Sequence, residues 1–433
     1  MNAWDVLVER GFIYQATDAD AMRKLLDQQQ VTFYVGFDPT GNSLHIGHLL
    51  PVMAMRWLQK CGHRPLALVG GGTAMIGDPS GKTEARPIMT VQTIDDNVAA
   101  LQAQLSRFLD FSEGRAQLVN NAQWLRSLKF IDFIRDIGSL FSINKMLAAE
   151  SARMRLENGN LSFLEFSYPL LQSYDFNILN QRYGCLCQFG GQDQWGNIVA
   201  GVDLTRRLQG KEVFGATFPL LLKSDGTKFG KTAGGAVWLD ANRTSPFEYY
   251  QFWRNVDDGD VQRLLGYFTA LPMDEVRRLG ALPAPQINRA KEILAYEATA
   301  LVHGHEAASA AYLAAGTQFG FADPEGQIDT SSAVAGISAE SAREAIPAIR
   351  ISAAELGDGI GVLTLLVKAG LCGSNGDARR LVTGGGCHIG DIRVNDPKQM
   401  ITAEDFGDSR QIMLRAGKKS RNPMTSLRAF STF

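Results

Sequence analysis

A chain of 433 residues, 45% hydrophobic and 20% charged, has room for two or three domains around a substantial core, and its formal net charge of -2 excludes a globally basic nucleic-acid binder. Any RNA partner must be met by local basic patches. The first twenty residues mix Asp5, Glu9 and Arg10 with apolar side chains instead of placing a long apolar core behind positive charge, and no apolar run approaches a membrane span. A cytoplasmic protein with no membrane partner is therefore expected. Cys61, Cys185, Cys187, Cys372 and Cys387 form neither an even framework nor a paired C-x-x-C unit, which points to reduced thiols and gives no structural zinc pattern.

In chain order, Val31 to Phe37 reads as a strand that ends at Asp38-Pro39. Gly47-His48 then opens an apolar helix through Leu49, Leu50, Met53, Met55 and Leu58. A helix N-terminus after a strand is a place for phosphate. His45 and His48 flank a glycine whose bare backbone permits close approach; on these residues alone the pair is either an anion site or ordinary capping and packing. Pro65 to Val69 reads as a second buried strand leading into Gly70-Gly71-Gly72-Thr73, and Ala116 to Asn120 as another. Gly77 to Thr83 imitates the end of a P-loop, but the required first glycine falls on Ile76, so a P-loop ATPase is excluded.

Cys185 to Gly191 and Thr217 to Leu222 add two strands, with a helix from Ile198 to Leu208 between them. Cys185 and Cys187 alternate within their strand, as buried packing or as half of a metal site that lacks further ligands nearby. Strands alternating with helices predict an α/β fold, a Rossmann-like doubly wound parallel sheet with its ligand at the carboxyl ends of the strands. Lys228-Phe229-Gly230-Lys231-Thr232, after Ser224-Asp225-Gly226, puts two lysines beside glycines, either as solvated surface or as a lid over the same phosphates.

From Ser245-Pro246 the pattern becomes helical: Phe247, Tyr250, Phe252 and Trp253, then Val261 to Phe268, Met273 to Leu279 and Asn288 to His303. His303 and His305 read as surface or capping residues. Gln318 to Glu344, rich in Gly, Ala, Ser and Asp, reads as a linker or poorly ordered connection. Beyond it, Leu363 to Leu371 and Asn375 to Val382 read as helices, Gly384-Gly385-Gly386 as a break, and Cys387 to Ile389, Ile392 to Val394 and Gln411 to Leu414 as a small sheet. Arg379, Arg380, Arg393, Arg415, Lys418, Lys419 and Arg421 give this last part a basic surface, for RNA phosphates or for solvation alone.

His45-Ile46-Gly47-His48 and Lys228-Phe229-Gly230-Lys231-Thr232 resemble the two signatures of class I aminoacyl-tRNA synthetases, HIGH in full and KMSKS in a variant form. Tyr34, the Gly77 to Lys82 turn, the Tyr168 to Asp175 segment and Gly190 to Asn197 narrow the resemblance to the bacterial tyrosyl-tRNA synthetase family. The Ala-Arg-Arg-Leu helix and the strands after the glycines resemble an S4-like RNA-binding module. Val35, Pro51 and Ala233 depart from, or vary within, the family pattern without touching the tyrosine hook.

The resemblance implies a tyrosine-tRNA ligase that activates L-tyrosine with ATP and transfers it to tRNA(Tyr). The attacking carboxylate is already ionised at neutral pH, so such a site aligns and neutralises anions and requires no general base. By resemblance, His45 and His48 meet ATP, Thr40 assists at the terminal phosphate, Lys228 and Lys231 clamp pyrophosphate, and Lys82 and Arg86 add mobile charge. Gly36, Asp38 and Gly47 line the ATP site, while Gly191 and Asp193 meet the ribose; Asp193 alternatively reads as the N-cap of the following helix. Tyr34 and Asp175 face the phenolic hydroxyl, Tyr168, Gln172 and Asp78 receive the ammonium group, and Gln188 and Gln194 orient the carboxylate. Mg²⁺ is expected with ATP, with no tightly held metal in the protein.

The expected organisation is a catalytic domain over 1-222 with an insertion at about 114-164, the lysine loop and connection over 223-245, a helical anticodon-binding domain over 246-320, a linker over 321-350 and the S4-like domain over 351-433. The resemblance also implies a homodimer through the insertion, with Phe130, Phe133 and Phe163 as candidates for the interface. Three other readings use the same residues: a tryptophanyl-tRNA synthetase, a catalytically silent RNA-binding protein and a non-tRNA nucleotidyltransferase. Tyr34 with Asp175, the intact histidines and lysines, and the S4-like tail oppose them in turn.

Overall fold

A computed structural model describes residues 2-80, 89-157, 161-222, 226, 229-232, 235-337, 348-390, 392-406, 411-416 and 425-432. The chain divides into two compact units, one of residues 1-245 and 255-282, the other of 246-254 and 283-433.

The first unit is built on β1 (Gln15–Ala16), β2 (Thr32–Phe37), β3 (Arg64–Val69), β4 (Gln117–Asn120), β5 (Cys185–Gly191) and β6 (Phe214–Phe218), in the order β1-β6-β5-β2-β3-β4. The pairs from β6 to β4 are parallel and β1 joins β6 antiparallel. Near-continuous burial along β3 and β6 explains why these strands read as apolar runs: helices cover both faces of a parallel sheet. Cys185 and Cys187 are free, fully buried side chains within this packing. The chain leaves central β2 toward β3 and β4, then returns to β5 on the other side, so the topological switch lies between β2 and β5. Ligands of open α/β sheets bind there, outside the strand ends.

Two corrections follow. The strand expected over Thr217 to Leu222 runs over Phe214–Phe218, because Gly215, Ala216 and Thr217 pair with β5 while the chain beyond Pro219 turns toward the cavity. The helical region expected as one stretch is divided between the units: Val261–Phe268 and Met273–Gly280 pack with the sheet, Pro246–Arg254 with Ile287–His303 and His305–Phe319.

Arg10 shows why the first two stay with the sheet. Its guanidinium donates to the carbonyls of Gly266, Thr269 and Leu271 at 3.1, 3.2 and 2.7 Å and lies 3.9 Å from the centre of the Trp57 ring. Burial pulls its pKa down to about 10, so it remains charged at neutral pH. Arg10→Leu strands three carbonyls and is expected to cost about 3 kcal/mol, read as a lower urea midpoint at unchanged slope.

In the second unit, the segment after Phe319 is anchored: Ala322 N–H donates to Glu292 and Ser332 Oγ to Glu297, with Val334 buried. A weakly periodic sequence is thus held by specific polar contacts as far as Ile337. The carboxy-terminal part folds around its own core, including Val362, Leu365, Leu366, Val382, Cys387 and Leu414, with sheet order Ile392–Val394, Cys387–Ile389, Gln411–Ala416, Thr425–Thr432, Ala348–Ser352.

Candidate active site

A cavity of about 600 Å³ opens at the carboxyl ends of β2, β3 and β5 in the first unit. Tyr34, Gly36, Asp38, Thr40, His45, Gly47, His48, Asp78, Tyr168, Gln172, Asp175, Gln188, Gly191, Asp193 and Gln194 all line it. Residues read from four separate stretches of sequence therefore share one cavity.

Helix Ile46–Lys60 begins one residue earlier than expected, with His45 as N-cap. His45 Nδ1 accepts Gly47 N–H at 3.0 Å and His48 Nδ1 accepts His45 N–H at 3.2 Å. With both Nδ1 atoms accepting, the neutral rings carry their protons on Nε2. The ring centres lie 4.0 Å apart with their planes tilted by 32°, and a Cβ on Gly47 would stand 2.8 Å from His45 Cε1, so only glycine leaves this imidazole in place. Capping and a cavity-lining role therefore coexist.

Glycines also admit the carboxylates. A Cβ on Gly70 would meet Asp38 Oδ1 at 2.6 Å, and one on Gly191 would meet Asp193 Oδ1 at 2.5 Å. The N-cap of Trp195–Gln209 is Gln194, after a 3-10 turn over Gln192–Gln194, so Asp193 does not serve as that cap.

At the inner end, Tyr34 and Asp175 are each 1% exposed. Asp175 accepts from Trp124 Nε1 at 2.7 Å and from Asn121 Nδ2 at 2.9 Å. Burial pushes its pKa up to about 7, opposed by these two donors and assisted by Asp38. The Tyr34 hydroxyl has no hydrogen-bond partner among the described residues, and burial, with Asp175 nearby, holds its pKa well above the usual phenol range. Gln188 Oε1, on the same cavity wall, is likewise buried without a partner. Unpaired polar atoms in an apolar wall are costly unless a ligand completes them.

The next segment of the wall is acidic. Burial raises the Tyr168 pKa well above its usual value, and Asp38, Asp78 and Asp175 raise it further. Asp78 accepts Ser80 N–H at 2.9 Å and Gln194 Nε2 at 2.7 Å, while Asn197 Nδ2 lies within 3.3 Å of oxygens on Gln172, Ser80 and Gln194. Sequence alone assigns no role to Asn121 or Trp124, and names Asn197 only as the end of the Gly190 to Asn197 stretch. Asn121 had a usable signal, since it follows a strand end, whereas Trp124 and Asn197 become relevant only through tertiary contacts.

The base of the lysine loop lies beside the histidines. Ile46 N–H donates to Val237 O at 3.0 Å, Leu239 N–H to Leu44 O at 2.9 Å, and the Trp238 ring stands edge-on to His45. Lys231 belongs to a short hairpin, Lys231–Thr232 with Gly235–Ala236, described for its backbone. Lys82, Arg86 and Lys228 lie outside the described residues, as do Lys418, Lys419 and Arg421, and Arg415 is described for its backbone alone. Arg379 and Arg380 are exposed on the helix Asn375–Thr383, with Arg380 paired to Asp377. Arg393 is exposed, and its guanidinium lies over Gly385, whose φ of +72° and lack of Cβ permit the approach. Among the described residues, no group of three His, Cys, Asp or Glu side chains is placed to hold a metal ion, and no helix is long and apolar enough to cross a membrane.

The family model for tRNA synthetases class I (W and Y) matches residues 26–320, and that for the Tyrosine--tRNA ligase SYY-like C-terminal domain matches 338–422. The chain is 50% identical to the tyrosine-tRNA ligase of Clostridium tetani, covering 97% of this chain and 98% of that one. It is 49% identical to the tyrosine-tRNA ligase of Desulfosudis oleivorans at the same coverage. Among solved structures it resembles a C-terminally truncated mitochondrial tyrosyl-tRNA synthetase of Aspergillus nidulans, with TM-score 0.66 and 31% identity over 73% of this chain and 94% of that one.

Proposed function

This chain belongs to the class I tRNA synthetases of the tryptophan and tyrosine family, and from that premise we propose that its cavity joins a tyrosine pocket at Tyr34 and Asp175 to an ATP site at His45 and His48. The activity is that of a tyrosine-tRNA ligase: ATP and tyrosine give tyrosyl adenylate and pyrophosphate, and the tyrosyl group passes to the 3′ end of tRNA(Tyr).

The observation that carries the residue assignment is the unpaired, buried Tyr34 hydroxyl in the same pocket as the raised carboxyl of Asp175. A substrate phenol supplies a third donor to Asp175, beside Trp124 and Asn121, and an acceptor for the Tyr34 hydroxyl. Phenylalanine leaves the Tyr34 hydroxyl unpaired and gives Asp175 no further donor, the effect for which this family is itself the reference case. Asp78, Tyr168 and Gln172 receive the ammonium group, whose positive charge offsets the acidic wall, and Gln188 and Gln194 meet the carboxylate. In the tryptophanyl alternative, an indole would not satisfy the same pair.

At the other end, His45 and His48 offer Nε2 protons to phosphate, Thr40 its hydroxyl, and Gly36 an open backbone with no atom within 4 Å of a Cβ position. Asp38 lies toward the α-phosphate, and Gly191 with Asp193 meets the ribose. Lys82, Arg86, Lys228 and Lys231 supply cationic charge as pyrophosphate leaves. Imidazole, hydroxyl and backbone donors suit a Mg²⁺ ion held mainly by ATP's own phosphates. No protein base is required, because the attacking carboxylate is ionised at neutral pH.

The helices after Pro246 and the S4-like module, with its exposed arginines, bind tRNA(Tyr). A second copy covers the insertion, where Phe130 and Phe163 are 64% and 68% exposed while Phe133 is partly covered by edge-on contact with Tyr174. Such a homodimer works in the cytoplasm.

The test is amino-acid-dependent exchange of labelled pyrophosphate into ATP. Exchange with tyrosine and neither phenylalanine nor tryptophan is expected; its absence with folded protein would sink the assignment. The kcat/KM for tyrosine should rise with pH through an inflection near 7, where Asp175 ionises and becomes the stronger acceptor, and Asp175→Asn should lack that inflection. An unchanged inflection in the variant would assign it elsewhere.

A further inference from the structure

Asn197 is 4% exposed and does not line the cavity, yet its amide nitrogen reaches three side chains that do. Nδ2 lies 3.1 Å from Gln172 Oε1, 3.2 Å from Ser80 Oγ and 3.3 Å from Gln194 Oε1. It carries two hydrogens for three acceptors, so one hydrogen is shared between two of them. We propose that Asn197 is a positioning residue that sets the polarity of the ammonium pocket by holding the carbonyl oxygens of Gln172 and Gln194 in place. The proposal rests on the assignment of Asp78, Tyr168 and Gln172 to the substrate ammonium group.

A glutamine amide has an acceptor end and a donor end of nearly the same shape, and packing alone barely distinguishes them. A donor in a fixed position does. With Asn197 donating, Gln172 keeps its oxygen at the pocket, where a second lone pair can accept from an ammonium group. Reversed, it would present N–H to N–H and repel the substrate. Gln194 is oriented by the same donor, which leaves its Nε2 to donate to Asp78 Oδ2 at 2.7 Å. Ser80 N–H holds Asp78 Oδ1 at 2.9 Å, so both carboxylate oxygens are fixed in orientation beside the ammonium pocket.

Helix geometry fixes the donor. Asn197 is the third residue of Trp195–Gln209, immediately after the turn carrying Gln194, while Gln172 comes from the helix Phe163–Tyr183 packed against it. A single amide group therefore aligns side chains from both helices and from the Asp78 turn. An apolar residue of the same size would keep the packing and lose the alignment.

Asn197→Leu tests this in the full-length protein through competitive inhibition of tyrosine-dependent pyrophosphate exchange. Tyramine keeps the ammonium group and lacks the carboxylate; 3-(4-hydroxyphenyl)propanoate keeps the carboxylate and lacks the ammonium group. The expected result is a tenfold rise in the tyramine inhibition constant and in KM for tyrosine, a smaller rise of about threefold in the propanoate constant through Gln194, and KM for ATP within twofold of wild type. Equal rises for both inhibitors would reduce Asn197 to a structural part of the helix, and no change for tyramine would also overturn the proposal. If Asn197→Leu does not fold, the same pair of constants is read on Asn197→Thr, which keeps one donor; a tyramine-selective rise of about threefold is expected there, and equal constants overturn the proposal. Absence of tyrosine-dependent exchange in the wild type would instead remove the functional assignment on which the proposal rests.

Discussion

Replacing Asp175 by Asn is expected to lower kcat/KM for tyrosine by about 10-fold to 10²-fold while changing the binding of phenylalanine little. The shape is retained, but the hydrogen-bond polarity is not. Asp175 accepts from Trp124 on one oxygen and from Asn121 on the other. An asparagine has one oxygen, so its amide N–H must face one of those donors. Trp124 Nε1 can only donate, and Asn121 cannot reverse without releasing its Oδ1 from Gly72 N–H at 2.7 Å and its Nδ2 from Thr73 at 3.1 Å. A misplaced buried donor costs about 1–3 kcal/mol of stability in the free and the substrate-bound protein alike, whereas loss of a hydrogen bond between a charged group and the substrate hydroxyl costs the reaction with tyrosine about 1.5–3 kcal/mol. The second cost, about 2 kcal/mol, corresponds to the loss in rate. Steady-state exchange with tyrosine, beside competitive inhibition of that exchange by phenylalanine, measures it; equal losses for tyrosine and phenylalanine would remove the hydroxyl hook.

Stability supplies a second readout for the same variant. The folded-state pKa of about 7 lies above the ordinary carboxylate range, so between about pH 4 and 7 the native state holds a proton that the unfolded chain has released. The contribution of Asp175 to wild-type stability therefore falls as pH rises through that window. Asp175→Asn should flatten that part of the profile for the ligand-free protein.

His45→Asn is expected to slow adenylate formation by about 10²-fold to 10³-fold, with the melting temperature nearly unchanged. Asparagine is among the preferred N-caps and can accept Gly47 N–H as His45 Nδ1 does at 3.0 Å, so the start of Ile46–Lys60 should survive. What disappears is the Nε2 donor and the ring whose centre lies 4.0 Å from that of His48. Single-turnover formation of the adenylate isolates this step from tRNA transfer. A rate loss accompanied by a comparable loss of stability would show the histidine to be chiefly a cap, whereas His45→Leu should lose both properties.

The sequence by itself determined the alternating strands and helices, because helices covering both faces of a parallel sheet leave apolar runs that are visible without coordinates. It also marked the glycines and histidines at strand ends, whose chemistry is unusual enough to be recognised within a short local stretch. Pairing decided the rest. The end of β6 was misplaced because Gly215 to Thr217 are set by their partners in β5, a constraint invisible in local composition. Trp124 and Asn121 act through Asp175, more than fifty residues away, and Asn197 through Gln172 on another helix. Local periodicity reports which face of an element is buried; it does not report which polar atoms meet there. That second property governs the protonation of Asp175 and the orientation of the pocket's amides, so the chemical precision of the site belongs to the tertiary structure.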